Sequence, residues 1–294
     1  MVNKIKMQIK LKWLGTAAYI LKLDEINLLF DPFFFRNDES NPVLQTKREE
    51  IENIDAVFIT HAHIDHVTDA AWYAENKNVP VYTSQVGKKN MINWCEGKII
   101  DFETYDLELQ ADAYCLTENG KENIHPITAG DHIEVNEDIS VDVIKSEHVK
   151  FDFNTIWARL KSKKFWKNAR KLLPLGKDLP MGEVFGYCTN YKGKRIVGFG
   201  SLFHKYEKEL DKYADSDVFI APLAGNSAKH IAEKSCKMID HLKPSIVIPV
   251  HWDDFFPPIS RLEDLDPFLE KMEKDYSDIQ VIMPQMDKDI TIPL

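Results

Sequence analysis

The sequence predicts an α/β protein built as a four-layer αββα sandwich. Two observations carry this. Strand-like segments followed by helix-like segments occur twice along the chain, so each half supplies one sheet and its covering helices. The apolar segments "IDAVFIT", "ISVDVIKSE" and "SIVIPV" each run straight into a histidine, His61, His148 and His251, so three strand ends share one rim.

The elements follow in order. "MQIKLKWLG" alternates apolar and polar residues through Ile9, Leu11 and Trp13, the period of a half-buried strand. "AAYILKLDEINLLFDPFF" reads as a hairpin turning near Asp24–Glu25, and "IDAVFIT" as a buried strand. "HVTDAAWYAENKN" is helical, "VPVYTS" a strand, and the acidic stretch from Ile99 to Asn123 irregular. Alternation returns in "DHIEVNEDISVDVIKSEH", and "VFGYCTNYKGKRIVGFGS" is a hairpin with Lys192–Gly193 in its turn. "DVFIAPLAG" is a buried strand, "SAKHIAEKSCKMIDHLKP" a helix stopped before Pro244, "SIVIPVHW" a strand, and "LEDLDPFLEKMEKDY" a last helix whose start Pro267 is expected to interrupt.

Residues 1–294 are read as a single domain with a basic helical insertion near 151–177. Hydrophobic residues at 44% and charged residues at 29% describe an ordinary globular chain. No segment approaches the roughly 18 to 20 consecutive apolar residues of a membrane span, and the N-terminus lacks a signal-peptide core. A cytoplasmic protein is expected. The net charge of -10 repels a polyanion, so no nucleic-acid partner is expected. Cys95, Cys115, Cys188 and Cys236 are widely spaced, with no CxxC, and are expected as reduced buried thiols.

The chemistry concentrates in "HAHIDH", residues 61–66. Positions two apart on an extended backbone point the same way, so His61 and His63 share a direction. Asp65 and His66 follow where the chain turns into the helix. Imidazole and carboxylate are ligands for Zn²⁺, Mn²⁺ and Fe²⁺.

With this HxHxDH motif the chain resembles the metallo-β-lactamase superfamily. "NLLFDPFF", "IKSEH" and "IPVHW" are similar to further motifs of the branch that includes L-ascorbate-6-phosphate lactonase and N-acyl-phosphatidylethanolamine phospholipase D. The resemblance implies the αββα fold with one or two zinc ions at one edge. His61, His63 and His148 would hold the first and Asp65, His66 and His251 the second. It also implies that Asp31 orients a histidine, although "DP" alone reads as a plain turn. One departure stands out. Where relatives place a Gly-Asp whose carboxylate bridges the metals, this chain has Gly200–Ser201. A serine hydroxyl is a weak neutral ligand, so a weakened second metal is expected, unless His204 nearby supplies a ligand.

A divalent cation lowers the pKa of bound water toward about 7, which suits hydrolysis of an ester, lactone or phosphodiester. Asp65 is the expected proton acceptor and His230 a candidate contact to substrate. His125, His132 and His241 read as loop or helix-surface residues. From Trp157 to Gly176 the chain has seven basic and no acidic residues. With Trp157 on its apolar face and Lys163, Lys164 and Lys167 among its cations, this segment reads either as a packed helix with a solvated face or as a lid for a small anionic or lipid-like substrate. Contact with a membrane surface is a lesser reading. Two other functions stay open: a metal-retaining binding protein without turnover, and a di-iron redox protein on the same fold.

Overall fold

The computed structural model describes residues 8–34, 36, 38–96, 116–150, 179–202, 205–257 and 260–294. The basic segment, with Trp157, Lys163, Lys164 and Lys167, lies outside these residues, as does His204.

Strands β1 (Ile9–Trp13), β2 (Tyr19–Leu23) and β3 (Ile26–Phe30) form an antiparallel meander. The β2–β3 turn needs left-handed backbone, and Asp24 supplies it at φ 51. Strands β4 (Ala56–Phe58), β5 (Val81–Thr83) and β6 (Ile124–Pro126) add in parallel to β3. Between them run helices α1 (Ile64–Val67), α2 (Ala70–Asn76), α3 (Gln85–Cys95) and α4 (Glu118–Glu122). The second sheet contains β7 (His132–Glu134), β8 (Ile139–Ser146), β9 (Val184–Tyr191), β10 (Lys194–Phe199), β11 (Val218–Pro222), β12 (Ile246–Val250) and β13 (Gln280–Val281). Helices α5 (Ala228–Leu242) and α6 (Asp266–Asp275) cover it. A last strand, β14 (Asp289–Thr291), returns to pair with β1. Among the described residues each sheet has seven strands, in the orders β14-β1-β2-β3-β4-β5-β6 and β13-β12-β11-β10-β9-β8-β7.

Three apolar clusters define the four layers. The central one joins the sheets: Leu11, Leu21 and Phe30 from the first meet Val141, Tyr187 and Ile248 from the second. The Tyr187 ring lies 5.8 Å from Phe30 and 5.3 Å from Phe58. A second cluster packs the outer face of the first sheet, with Ile20 and Val57, under Ala70 and Tyr73 of α2 and Met91 of α3. The third packs Val197 and Phe219 under Ile231 and Ile239 of α5 and Phe268 of α6. The expected αββα sandwich is therefore observed.

Three readings of the sequence need correction. The stretch read as irregular contains α4, which Thr117 caps by accepting from the Gly120 amide at 3.1 Å. His125 and His132 sit on strands β6 and β7, exposed, rather than on loops or helices. The short strands β13 and β14 carry too little alternation to be seen before their partners are known. Pro267 does not interrupt α6 but occupies its first turn, where the missing amide proton costs nothing. Among the described residues no helix is long and apolar enough to cross a membrane, and Cys95, Cys188 and Cys236 are buried.

Candidate metal centre

The topology explains why distant histidines meet. β3 and β4 are parallel, as are β10, β11 and β12, while β8 and β10 both run antiparallel to β9. The chain therefore leaves β3, β4, β8, β10 and β12 on one edge of its sheet. Asp31, the loop from Thr60 to His66, His148, Gly200–Ser201 and His251 all follow those exits.

Two groups of ligand-type side chains result. His61, His63 and His148 form one and Asp65, His66 and His251 the other, and within each group the three ligand atoms lie within 4.8 Å of one another. The ring nitrogens His61 Nε2 and His63 Nδ1 face each other at 3.1 Å. His148 Nδ1 donates to the Val149 carbonyl at 2.8 Å, so Nε2 is the nitrogen whose lone pair could bind a metal. In the second group Asp65 Oδ2 lies 3.4 Å from His66 Nε2 and 3.5 Å from His251 Nε2.

Below both groups sits Asp31, fully buried. Its Oδ1 accepts from the Thr60 amide at 2.7 Å. Its Oδ2 accepts from the Thr60 hydroxyl at 2.6 Å and from His66 Nδ1 at 2.8 Å. Thr60 Oγ1 also faces His61 Nδ1 at 3.1 Å, so it accepts from that ring while donating to Asp31. One carboxylate thus orients a ring in each group, directly for His66 and through Thr60 for His61. Gly200 makes room: a β-carbon there would overlap Thr60 Oγ1 and stand 2.8 Å from Asp31 Oδ2.

The electrostatics fit a cation. Burial holds the His61 imidazole far below its ordinary pKa, and His66, His63 and His148 depress it further. Burial also lowers His63, and together with His63 it lowers His148 to about 4. The first group is therefore a set of neutral imidazoles with lone pairs turned inward. Burial alone would lower His66 and raise Asp65. The Asp65 and Asp31 carboxylates reverse the first effect, raising His66 to about 10, and His66 and His251 reverse the second, holding Asp65 well below the carboxylate range. Positive charge is thus favoured beside Asp65, where a divalent cation would replace the proton. The buried His251 Nδ1 has no hydrogen-bond partner among the described residues. Facing ring nitrogens, a carboxylate among imidazoles and hydrogen-bonded outer nitrogens on His61, His66 and His148 suit a cation of the zinc, manganese or iron kind.

Other expected residues take different places. Ser201 is buried, and its hydroxyl accepts from the Val149 amide at 3.0 Å, so it braces the loop that carries His148. His230 stands in the first turn of α5, half-exposed, with Nδ1 3.1 Å from Ser227 Oγ and Nε2 3.9 Å from Glu233. Thr60 escaped the sequence reading because a threonine at the end of an apolar strand looks like any other. So did Asn90 on α3, whose amide donates to the Ala62 carbonyl between His61 and His63 at 3.1 Å and to Pro180 at 2.9 Å. The close pair of glycines in "GFG" was the only advance signal of tight packing around the site.

A family model described as the beta-lactamase superfamily domain matches residues 10–251, which contain every residue of both groups. The chain belongs to this family. Within the beta-lactamase superfamily, it is similar to a UPF0173 metal-dependent hydrolase of Pyrococcus abyssi, 24% identical over 278 residues that span 94% of this chain and 97% of that protein. Another such protein, of Staphylococcus epidermidis, is 23% identical and spans 94% of this chain and 97% of its own length. Among solved structures, Igni18, a metallo hydrolase of Ignicoccus hospitalis, superposes with a TM-score of 0.62 at 16% identity, covering 98% of this chain and 99% of that one. An isothiocyanate hydrolase from Delia radicum gut bacteria superposes at 0.59 and 17% identity, covering 96% and 98%. These superpositions show a shared fold.

Proposed function

We propose that the chain is a metal-dependent hydrolase, most simply a zinc enzyme. The observation that carries this is the pair of ligand groups at one sheet edge, with a buried carboxylate orienting a ring in each. The names of its relatives point the same way.

His61, His63 and His148 would hold one cation, and Asp65, His66 and His251 a second. Such a cation supplies Lewis acidity, polarising a substrate oxygen and lowering the pKa of bound water toward about 7. Asp31 fixes the tautomers of His61 and His66 by accepting at Oδ2, so that their other nitrogens stay inward. Asp65 turns Oδ2 toward His66 and His251. Its other oxygen is the one we assign to take the proton from the attacking water. His230, across the rim on α5, is the candidate contact to substrate.

The finer proposal is an ester, lactone or phosphodiester as the bond cleaved, in a lactonase-like or phospholipase D-like reaction. An anionic small molecule or a lipid-like substrate suits the seven basic residues between Trp157 and Gly176. The test is metal content by mass spectrometry, with turnover of chromogenic esters, lactones and phosphodiesters before and after chelation. His61→Ala and His63→Ala are expected to lose most bound metal and all turnover. Full metal occupancy in both variants overturns the ligand assignment. An iron-loaded protein with redox activity and no hydrolysis overturns the reaction.

A further inference from the structure

His251 has an unusual backbone for a histidine at a strand end: φ is 61, in the left-handed region. Such a conformation in a non-glycine residue is strained and persists only where its surroundings impose it. Here they do. The His251 amide donates to the Thr16 carbonyl at 2.8 Å, and that carbonyl also accepts from Trp13 Nε1 at 2.9 Å. Thr16 is itself left-handed, at φ 46. Its amide donates to Asp253 Oδ1 at 2.8 Å. The other Asp253 oxygen is paired with Arg36 Nη2, and both side chains are almost fully buried.

Arg36 keeps Nε and Nη1 buried, without hydrogen-bond partners among the described residues. Its guanidinium lies against Gly15, where a β-carbon would overlap Nη1. A buried ion pair with unsatisfied donors is a poor device for stability, because desolvation offsets most of the attraction. It is a good device for holding one geometry. The segment Gly15–Thr16 and the segment His251–Asp253 come from opposite ends of the chain and from different sheets, and this pair joins them.

We infer that Asp253, held by Arg36, is a positioning residue for His251: through Thr16 it imposes the left-handed backbone that turns the His251 ring toward Asp65. The inference rests on the reading of His251 as a metal ligand. Asp253→Ala removes the acceptor for Thr16, whereas Asp253→Asn keeps an oxygen there.

The experiment measures zinc affinity by chelator competition, at a temperature where circular dichroism shows each variant folded, together with a crystal structure of each. Asp253→Ala is expected to weaken one of two bound zinc ions by about tenfold or more and to leave the other unchanged. In its crystal structure His251 leaves the left-handed region and its Nε2 moves beyond 3.5 Å from Asp65 Oδ2. Asp253→Asn is expected to restore most of the affinity and the geometry. If Asp253→Ala does not fold, Arg36→Met, which frees Asp253 from its anchor, is expected to show the same selective loss in smaller degree. A folded variant with both affinities unchanged and His251 still at positive φ overturns the inference. A wild-type protein that binds no zinc overturns the proposed hydrolase instead, and the φ angle of His251 in the variants still decides this inference.

Discussion

Asp31 and His66 are joined Oδ2 to Nδ1 at 2.8 Å, although they leave different strands 35 residues apart. Because Thr60 ties the same oxygen to His61, removing this one charge should be felt in both ligand groups. Asp31→Asn is the clean test, since asparagine tolerates the left-handed φ of 42 found at this position. The expected result is a loss of about 10- to 100-fold in metal affinity, read by chelator competition, with the fold retained by circular dichroism. Unchanged affinity would show that the two rings need no carboxylate beneath them.

Gly200 has no side chain because Thr60 and Asp31 occupy its space. Gly200→Ala is expected to cost about 1–3 kcal/mol through overpacking and to lower metal affinity by pushing Thr60 away from Asp31. A thermal melt and a metal titration on the same sample check both. A stable variant with normal metal content would mean that Thr60 has somewhere to go.

Ser201 supplies no carboxylate, and its hydroxyl oxygen accepts from the Val149 amide. Two divalent cations side by side then repel each other with little compensation. The unmodified protein is expected to keep one metal tightly and a second loosely after dialysis, and Ser201→Asp to keep both. Two equally retained metals in the unmodified protein, or no gain in the variant, would sink the idea.

Far from the metal centre, Asp24 on the β2–β3 turn accepts from the Tyr191 hydroxyl and from Lys192 Nζ at 2.8 Å, so it clips the first sheet to the β9–β10 turn of the second. The hydrogen bonds from Lys192 and Tyr191, with one from the Gln8 amide, lower its carboxyl to about 2. A carboxyl lowered in the folded state contributes stability that is fully present above its unfolded pKa, about 3.9, and is lost as pH falls through the folded value. Asp24→Asn should therefore lower the urea midpoint at neutral pH, and the gap to the unmodified protein should close between about pH 4 and pH 2. A gap independent of pH would leave the Asp24 charge without a role.

Much of this protein was legible before any coordinates. Period-two alternation in Ile9, Leu11 and Trp13 marks a strand because a pleated chain with one face on a core must alternate. "HAHIDH" marks a metal loop because few other functions call for three histidines and an aspartate within six positions. The apolar runs before His61, His148 and His251 showed that those residues leave a sheet. Short strands such as β13 and β14 were not legible, since two or three residues make a strand only when a neighbour pairs with them.

The sequence by itself determined the ligand types, the strands that deliver them and the layered class of the fold, because local periodicity and side-chain chemistry are properties of neighbouring residues. Only the tertiary structure decided how the ligands are held. Asp31 serves His61 through Thr60, Gly200 leaves the space for that contact, and Arg36 reaches Asp253 across 217 positions. Each depends on distances between segments that no local pattern records, and is set by how two twisted sheets stack and which strand ends they bring to the same edge.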